Sequence, residues 1–180
     1  RDFGFTTNEI DFLELVSCWC AKHHTFVTAW GEFTPTLEDV RELLCLNIRD
    51  KENFFNIVTD ATTMKIVENI LVGFHRGRPV TITRPMPSYS CFVSYFRGTW
   101  KGRTHLPGKG HDYRLAAYLA CWLTFYIFSG GPEEGFNPRW FVLAAMLSLG
   151  KSVPLASLFL GSLYLRLDMI RDCMGHSLGR

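Results

Sequence analysis

Hydrophobic residues recur every three or four positions near the start of the chain, which is the spacing of one face of a helix. Ile10, Leu13, Val16 and Cys20 follow this period. Asn8 stands just before them, and asparagine is a favoured residue at a helix N-cap. The pattern predicts a first helix from Glu9 to about Lys22, with its apolar stripe facing a core.

The next segment has the character of extended structure. Residues 24–28, His-Thr-Phe-Val-Thr, are rich in types that favour strands. Gly31 can supply a turn, and Glu32 to Thr34 can form the returning strand. We therefore predict a short β-hairpin near residues 24–34, supported by a helical body because two strands alone are marginally stable.

Capping signals predict the next two helices. Thr36 and Asp39 match a capping box, and an apolar side follows that ends near Leu46; it consists of Leu37, Val40, Leu43 and Leu44. Asp60 can cap a third helix that ends near Gly73. The apolar positions of this third helix are Met64, Val67, Ile70 and Leu71.

The remainder divides into a loop-rich middle and a helical last third. Four prolines from position 79 to 107 predict mainly loop there, with one helix over 88–97. Residues 113–128 are apolar nearly all round, which predicts a helix enclosed by others. Asn137-Pro138 and Pro154 predict the starts of two more helices, ending near Gly150 and Cys173. We predict a mainly α fold: one helical domain over residues 1–180 with a short β-hairpin near residues 24–34.

Composition supports a globular domain. The chain has 180 residues, of which 47% are hydrophobic and 20% charged, and this excludes a disordered chain. The longest apolar run has 14 residues, 115–128, against about 20 for a membrane span, so it predicts a core helix. Six cysteines without framework spacing predict buried thiols in a reducing compartment. The chain opens without a signal-peptide pattern, and we expect it to be an excerpt of a longer protein.

Charge is distributed unevenly along the chain. Residues 1–74 hold 6 basic and 12 acidic side chains, a net charge of −6. Residues 75–114 hold 8 and 1, a net charge of +7, and residues 115–180 hold 5 and 4. An acidic first part can attract a basic middle within the same chain, so the pattern alone does not require a nucleic acid.

The sequence disfavours a metal site and a nucleotide-binding loop. Cys18, Cys20, His23 and His24 cluster in sequence, but Cys18 and Cys20 would point apart on a helix and no second Cys-x-x-Cys exists. Gly108-Lys109-Gly110 lacks the spacing and the Ser/Thr of a phosphate loop. We expect no metal and no cofactor, and a structural contact between His24 and Glu32 across the hairpin.

The basic middle carries residues suited to a phosphate backbone. Its cations alternate with aromatic side chains on which a base can stack. The candidate contacts for a nucleic acid or a protein partner are Arg97, Trp100, Lys101, Arg103, Lys109 and Arg114. A solvated basic loop is the alternative interpretation.

Two blocks of sequence closely resemble the plant mobile domain family, whose members are also labelled aminotransferase-like. The first block contains His24, Phe26, Gly31, Glu32, Thr34, Thr36, Leu37, Asp39, Val40, Leu43 and Leu44. The second runs from Arg139-Trp140 through Leu143-Ala144, Leu149-Gly150 and Pro154-Leu155-Ala156 to Leu163-Tyr164. Cys45 and Asn47 stand where members commonly have glycine and proline, which weakens the signal for a tight helix stop.

The resemblance implies a domain of plant transposable elements and of nuclear proteins of the maintenance-of-meristems group. Those proteins are linked to transposon silencing, gene expression control and genome stability, and they work with a phosphatase-like partner of the protein phosphatase seven class. The resemblance implies no catalytic residue. The aminotransferase label has no support, because none of the six lysines stands where a pyridoxal phosphate Schiff base would need it.

Three functions remain at this point. The first is a non-enzymatic module that binds other macromolecules in the nucleus, with Trp30, Trp100 or Phe136 as its docking surface where these rings are exposed rather than part of the core. The second is direct, sequence-tolerant nucleic-acid binding through residues 97–114. The third is an enzyme of unknown chemistry, which a deep pocket with convergent polar side chains would favour.

Overall fold

The computed structural model describes residues 9–48, 60–76, 92–93, 95–96, 111–128 and 137–178. These residues are mainly α-helical with one small antiparallel sheet, which confirms the predicted fold class. A π-helical turn, Leu123–Ile127, extends the fourth helix, and a 3-10 turn, Pro138–Trp140, precedes the fifth. The elements are α1 (Glu9–Ser17), β1 (Trp19–Cys20), β2 (Thr25–Thr28), β3 (Gly31–Phe33), α2 (Leu37–Leu44), α3 (Ala61–Arg76), α4 (His111–Trp122), α5 (Phe141–Ser148) and α6 (Leu155–Leu178).

The chain forms two compact units. The first unit comprises residues 1–48 and 154–180, and the second comprises residues 49–153. The single domain over residues 1–180 stays a prediction.

Helix α6 is the element on which the first unit is built. It packs against α1, β1 and α2. Four side chains form the buried centre, and they are Val16, Trp19, Phe26 and Leu167. The backbone of the segment after α2 is tied to the start of α6, because the Ala156 N–H donates to the Asn47 carbonyl at 3.1 Å.

Helix α1 is shorter than predicted. It ends at Ser17 rather than near Lys22, and Trp19–Cys20 then forms a third strand beside the predicted hairpin. Its stripe was also predicted wrongly, because Val16 is buried but Ile10 is 66% exposed. The helical spacing of Cys20 was coincidental, since pairing with β2 determines the conformation of this segment.

Helix α2 has the predicted start. The Thr36 hydroxyl accepts from the Asp39 N–H, and the Asp39 carboxylate accepts from the Thr36 N–H at 2.8 Å. The helix ends with Cys45 in the left-handed region at φ 53°, where its N–H donates to the Arg41 carbonyl. A tight stop therefore forms with cysteine in the place usually taken by glycine.

The second unit has a core of aromatic rings. Phe92 and Phe141 are fully buried, and Phe74 meets Phe141 edge-on at 5.7 Å between ring centroids. Helices α3, α4 and α5 pack against one another around this core. Asn137 caps the 3-10 turn before α5 as predicted, accepting from the Arg139 N–H at 3.1 Å.

Several helix ends, and the exposure of several side chains, differ from prediction. Helix α3 continues past Gly73 to Arg76, and in the first unit α6 continues past Cys173 to Leu178. Helix α4 is not enclosed on all sides, because Leu115 and Tyr118 on it and Tyr126 in the π-helical turn are exposed. The helix predicted over 88–97 is described at four positions, where the backbone is helical; the rest of it, and the predicted loop around it, lie outside the described residues.

The cysteines also differ from expectation. Cys121 is buried, Cys18 and Cys20 are partly buried, but Cys45 and Cys173 are exposed. All five are free thiols. Within the described ranges, no helix is long and apolar enough to cross a bilayer.

Asp60 performs two tasks at the start of α3. Its Oδ1 accepts from the Thr63 N–H at 2.7 Å, which is the predicted cap. Its Oδ2 accepts from Lys151 Nζ, also at 2.7 Å, and so ties α3 to the segment after α5. These donors, Lys151 first, lower the pKa of the Asp60 carboxyl well below its ordinary value.

This pair predicts a pH effect on stability. A carboxylate whose pKa is lowered by folding stabilises the fold above its unfolded pKa of about 4, and this contribution is lost as the pH falls below that value. We expect Lys151→Met to make the fall in melting temperature below pH ~4 shallower than in the wild type. Lys65 is an exposed lysine of the same unit, so Lys65→Met is the control. Its melting temperature should fall with pH as steeply as that of the wild type. Equal slopes in all three proteins would contradict the prediction.

Candidate interaction surface

The inner face of the sheet is a row of aromatic rings. Trp19 pairs with Phe26, and Phe26 pairs with Phe33, so the three side chains share one face. Their centroids are 4.8 Å apart between Trp19 and Phe26 and 5.2 Å apart between Phe26 and Phe33. Partly buried Leu163 and Tyr164 of α6 pack against the buried cluster to which Trp19 and Phe26 belong. Trp19 and Phe26 of this row attach the sheet to the helix, whereas Phe33 is 50% exposed.

His24 occupies an unusual position at the start of β2. Its backbone lies in the left-handed region at φ 53°, and its N–H donates to the Cys20 carbonyl at 2.8 Å. Its ring stacks on Tyr164 with centroids 5.1 Å apart, and its Nε2 lies 3.4 Å from Asp168 Oδ2. The predicted contact with Glu32 was wrong. Glu32 accepts from the Thr25 hydroxyl instead.

Asp168 and Tyr164 are one turn apart on α6, and both form hydrogen bonds to residues of the sheet or next to it. Trp19 Nε1 donates to Asp168 Oδ1 at 2.7 Å, and Tyr164 donates to the Pro35 carbonyl at 2.6 Å. The Thr34 hydroxyl donates to the His24 carbonyl at 2.6 Å. We call Trp19, His24, Thr34, Tyr164 and Asp168 the polar network. It connects both ends of the hairpin to one helix, which makes the hairpin a rigid projection.

Trp30 stands at the tip of this projection. It follows Ala29 in the turn between Thr28 and Gly31, and its side chain is 97% exposed. Gly31 has φ 134°, a conformation that a residue with a Cβ rarely adopts, and the Thr28 hydroxyl donates to the Gly31 carbonyl at 2.9 Å. Of the two possibilities that the sequence left for this ring, exposure or a place in the core, the structure shows exposure.

The outer face of the sheet continues the exposed surface. Side chains alternate along β2, so Val27 points away from Phe26, and it is 47% exposed. Its cross-strand partner is Glu32, which is also exposed. We call Val27, Trp30 and Glu32 the hairpin surface. It joins an apolar ring and a branched aliphatic side chain to a carboxylate.

The residues of the first family-like sequence block that lie in or next to α2 either have structural roles or are exposed. Thr36 and Asp39 cap α2, and their hydrogen bonds lower the pKa of the Asp39 carboxyl. Val40 is buried, Leu37 is half-buried, and Leu43 is 80% exposed with Leu44 beside it at 44%. The predicted apolar side of α2 is therefore buried in part.

Most of the predicted nucleic-acid contacts lie outside the described residues. These are Arg97, Trp100, Lys101, Arg103 and Lys109. Arg114 is described, and it is an exposed residue in the first turn of α4. Trp100 and Phe136, the other two candidates for an aromatic docking surface, are also outside the described residues.

The predicted cysteine and histidine cluster has a different geometry from the one expected. Cys18 follows α1 and Cys20 lies in β1, so neither is on a helix. In the part of the chain that the structure describes, no group of three or more His, Cys, Asp or Glu side chains could hold a metal ion. No buried polar side-chain atom of the described residues lacks a hydrogen-bond partner.

Comparison with protein families gives one match. The model of the plant mobile domain matches residues 3–177. The chain belongs to the plant mobile domain family. Comparison with curated proteins and with solved structures gave no match. The match covers nearly the whole chain and both units, and it includes every residue of the polar network and of the hairpin surface.

The plant mobile domain of this chain thus uses its first sequence block mainly to build and orient the hairpin. His24, Phe26 and Thr34 attach the sheet to α6, Gly31 permits the turn, and Thr36 starts α2. Sequence reasoning found these residues through the resemblance. It missed Trp19, Tyr164 and Asp168 as their partners, because the contacts join positions about 130 to 150 residues apart.

Proposed function

We propose that this plant mobile domain is a non-enzymatic module that binds a protein partner through the hairpin surface. The observation that carries the proposal is the 97% exposure of Trp30 at the tip of a hairpin that the polar network holds in place. Tryptophan is enriched among the residues that dominate binding energies at protein interfaces. Nothing in the turn requires a tryptophan there, since Gly31 supplies the special backbone geometry.

Burial of Trp30 by a partner would release a useful amount of free energy. A tryptophan buries roughly 150–250 Å² at about 25 cal/mol per Å², which corresponds to about 4–6 kcal/mol before the costs of association. Rigid presentation reduces one of those costs, because little backbone freedom is lost on binding. The His24 ring stacked on Tyr164 and the Trp19 hydrogen bond to Asp168 provide this rigidity.

We propose the identity of the partner and the setting by resemblance to other members of the family. The partner proposed by resemblance is a phosphatase-like protein of the protein phosphatase seven class, and the setting is the plant nucleus. There the module would serve a host protein or a transposable-element protein in transposon silencing, gene expression control or genome stability. Family membership also supports a role in meristem maintenance.

The direct test is Trp30→Ala. We expect it to weaken binding to the phosphatase-like partner by about 30-fold or more, the loss typical of an interface hot spot, when affinity is measured by titration calorimetry. Tyr126→Ala removes another exposed aromatic ring, from the second unit, and should leave the affinity unchanged. Unchanged affinity in Trp30→Ala would reject the hairpin surface as the binding site.

A second candidate function rests on the net charge of +7 over residues 75–114. We propose as the alternative that the segment 97–114 binds nucleic acid through its phosphates, with little sequence preference. The affinity should then fall steeply as salt is added, because phosphate contacts release counterions.

Charge reversal separates the two functions. The triple variant Arg97→Glu, Lys101→Glu and Arg103→Glu should lose retention of a labelled oligonucleotide if the segment binds nucleic acid. Retention should be measured at two salt concentrations for single-stranded and duplex probes. Unchanged retention of the oligonucleotide would reject the nucleic-acid function, and partner binding through the hairpin surface should be the same in the triple variant as in the wild type.

A further inference from the structure

A cavity of about 260 Å³ in the second unit is lined by Phe92, Val93 and Phe96 and by residues of α4. Its apolar walls come from Phe92, Val93, Phe96 and Ala117, and Tyr118 contributes its ring. Arg114 also lines the cavity, one turn before Tyr118 on the same helix. We call this the Arg114 pocket. Because a water occupies about 30 Å³ in the liquid, the space suits a ligand of roughly nine non-hydrogen atoms.

The described lining of the pocket carries one charge. Among the described residues that line it, Arg114 is the one charged side chain, and none is a carboxylate. The Arg114 side chain is exposed, and no hydrogen bond or ion pair joins its guanidinium to another described residue. A guanidinium presents a planar fork of donors that matches a carboxylate with two parallel hydrogen bonds. An apolar space beside such a cation complements a molecule with an apolar body and one negative end.

The thiol among the described lining residues does not favour covalent chemistry. Cys121 lies in the lining, and its burial raises the pKa of the thiol to about 12. A thiol with so high a pKa stays neutral near pH 7 and is a poor nucleophile. The pocket is therefore suited to reversible binding.

We propose that the Arg114 pocket binds a small amphipathic monocarboxylate, such as a medium-chain fatty acid. The apolar part of the ligand lies against Phe92, Phe96 and Ala117, and its carboxylate pairs with the Arg114 guanidinium. A phosphorylated ligand fits less well, because a dianion in such a site calls for more donors than one arginine supplies. The pocket belongs to the second unit, so this proposal is independent of the hairpin surface in the first unit.

The test uses octanoate and octanol as matched probes, one with and one without the carboxylate. We expect octanoate to bind the wild type and Arg114→Gln to weaken this binding about tenfold or more, as measured by titration calorimetry. Octanol should bind the two proteins equally. Arg139→Gln is the control, since Arg139 is an exposed arginine of the same unit outside the pocket lining.

A second variant tests the apolar part of the site. Ala117→Leu places additional side-chain volume in the lining and should weaken binding of both probes, while thermal melting reports whether the variant folds. If Ala117→Leu unfolds the protein, the comparison of Arg114→Gln with Arg139→Gln still decides the proposal. No octanoate binding to the wild type at about 10 mM, or equal octanoate affinity in Arg114→Gln and wild type, would overturn it.

Discussion

Replacing Trp19 with alanine is expected to lower the free energy of unfolding by about 3–5 kcal/mol, the range for loss of a large buried aromatic side chain. Trp19 is 2% exposed and lies between Phe26 and Tyr164, with ring centroids 4.8 and 5.6 Å away. The substitution removes a packed indole from the centre of the first unit. It also removes the hydrogen bond to Asp168, which leaves a carboxylate oxygen without that donor.

Trp30→Ala is the matched control for this prediction. It makes the same chemical change 11 positions along the chain, at a side chain that is 97% exposed. We expect a change of less than about 0.5 kcal/mol, as is usual for surface substitutions. Urea unfolding followed by far-ultraviolet circular dichroism measures both values. Similar losses in the two variants would show that Trp30 is packed in solution and would contradict its role as an exposed tip.

Replacing Asp168 with alanine is expected to lower the free energy of unfolding by about 2–3 kcal/mol. The Asp168 carboxylate accepts from Trp19 Nε1 at 2.7 Å and lies 3.4 Å from His24 Nε2. Hydrogen bonds to charged groups contribute about 1.5–3 kcal/mol, and a buried donor left without an acceptor costs about 1–3 kcal/mol. Because one carboxylate serves β1 and the start of β2, its loss should loosen the sheet on α6.

Asp172→Ala is the control, because Asp172 is an exposed residue one turn further along the same helix. It should change stability by less than about 0.5 kcal/mol. Asp168→Asn keeps an oxygen that can accept from Trp19 and should fall between the two alanine variants. Amide hydrogen exchange in β2 should increase in Asp168→Ala more than in Asp172→Ala. Equal exchange in the two variants would show that the polar network does not hold the hairpin.

Local signals allowed the helix starts to be predicted from sequence. The Thr36 and Asp39 capping box, the Asp60 cap and the Asn137 cap all formed as expected. Each depends on residues two or three positions apart, so the sequence around it is sufficient. The turn at Gly31 was predictable for the same reason, because its backbone conformation at φ 134° favours glycine.

Contacts between distant positions could not be predicted in this way. The helical spacing of Ile10, Leu13, Val16 and Cys20 continues into a segment that β2 recruits as a strand. The partner of His24 was sought at Glu32, eight residues away, but it lies at Asp168 on α6. A single sequence does not show that these residues meet, because the meeting depends on how helix and sheet pack.

Exposure was the weakest part of the predictions. Periodicity identifies an apolar face of a helix but does not say whether another element covers it. Ile10 and Leu43 lie on predicted apolar faces and are exposed in the first unit, as is Tyr118 on α4 in the second. Trp30 could have been suspected from its place in a two-residue turn, where few side chains find partners.

The π-helical turn at Leu123–Ile127 sets the direction of the residue that follows it, Phe128. In this turn the Phe128 N–H donates to the Leu123 carbonyl, five residues back, at 2.7 Å. The Phe128 ring then stacks on Trp140 with centroids 4.0 Å apart. A helix without the wider turn would advance about 100° per residue throughout and would direct position 128 elsewhere. The wide turn thus brings the end of the fourth helix into contact with the 3-10 turn that precedes the fifth, through the rings of Phe128 and Trp140.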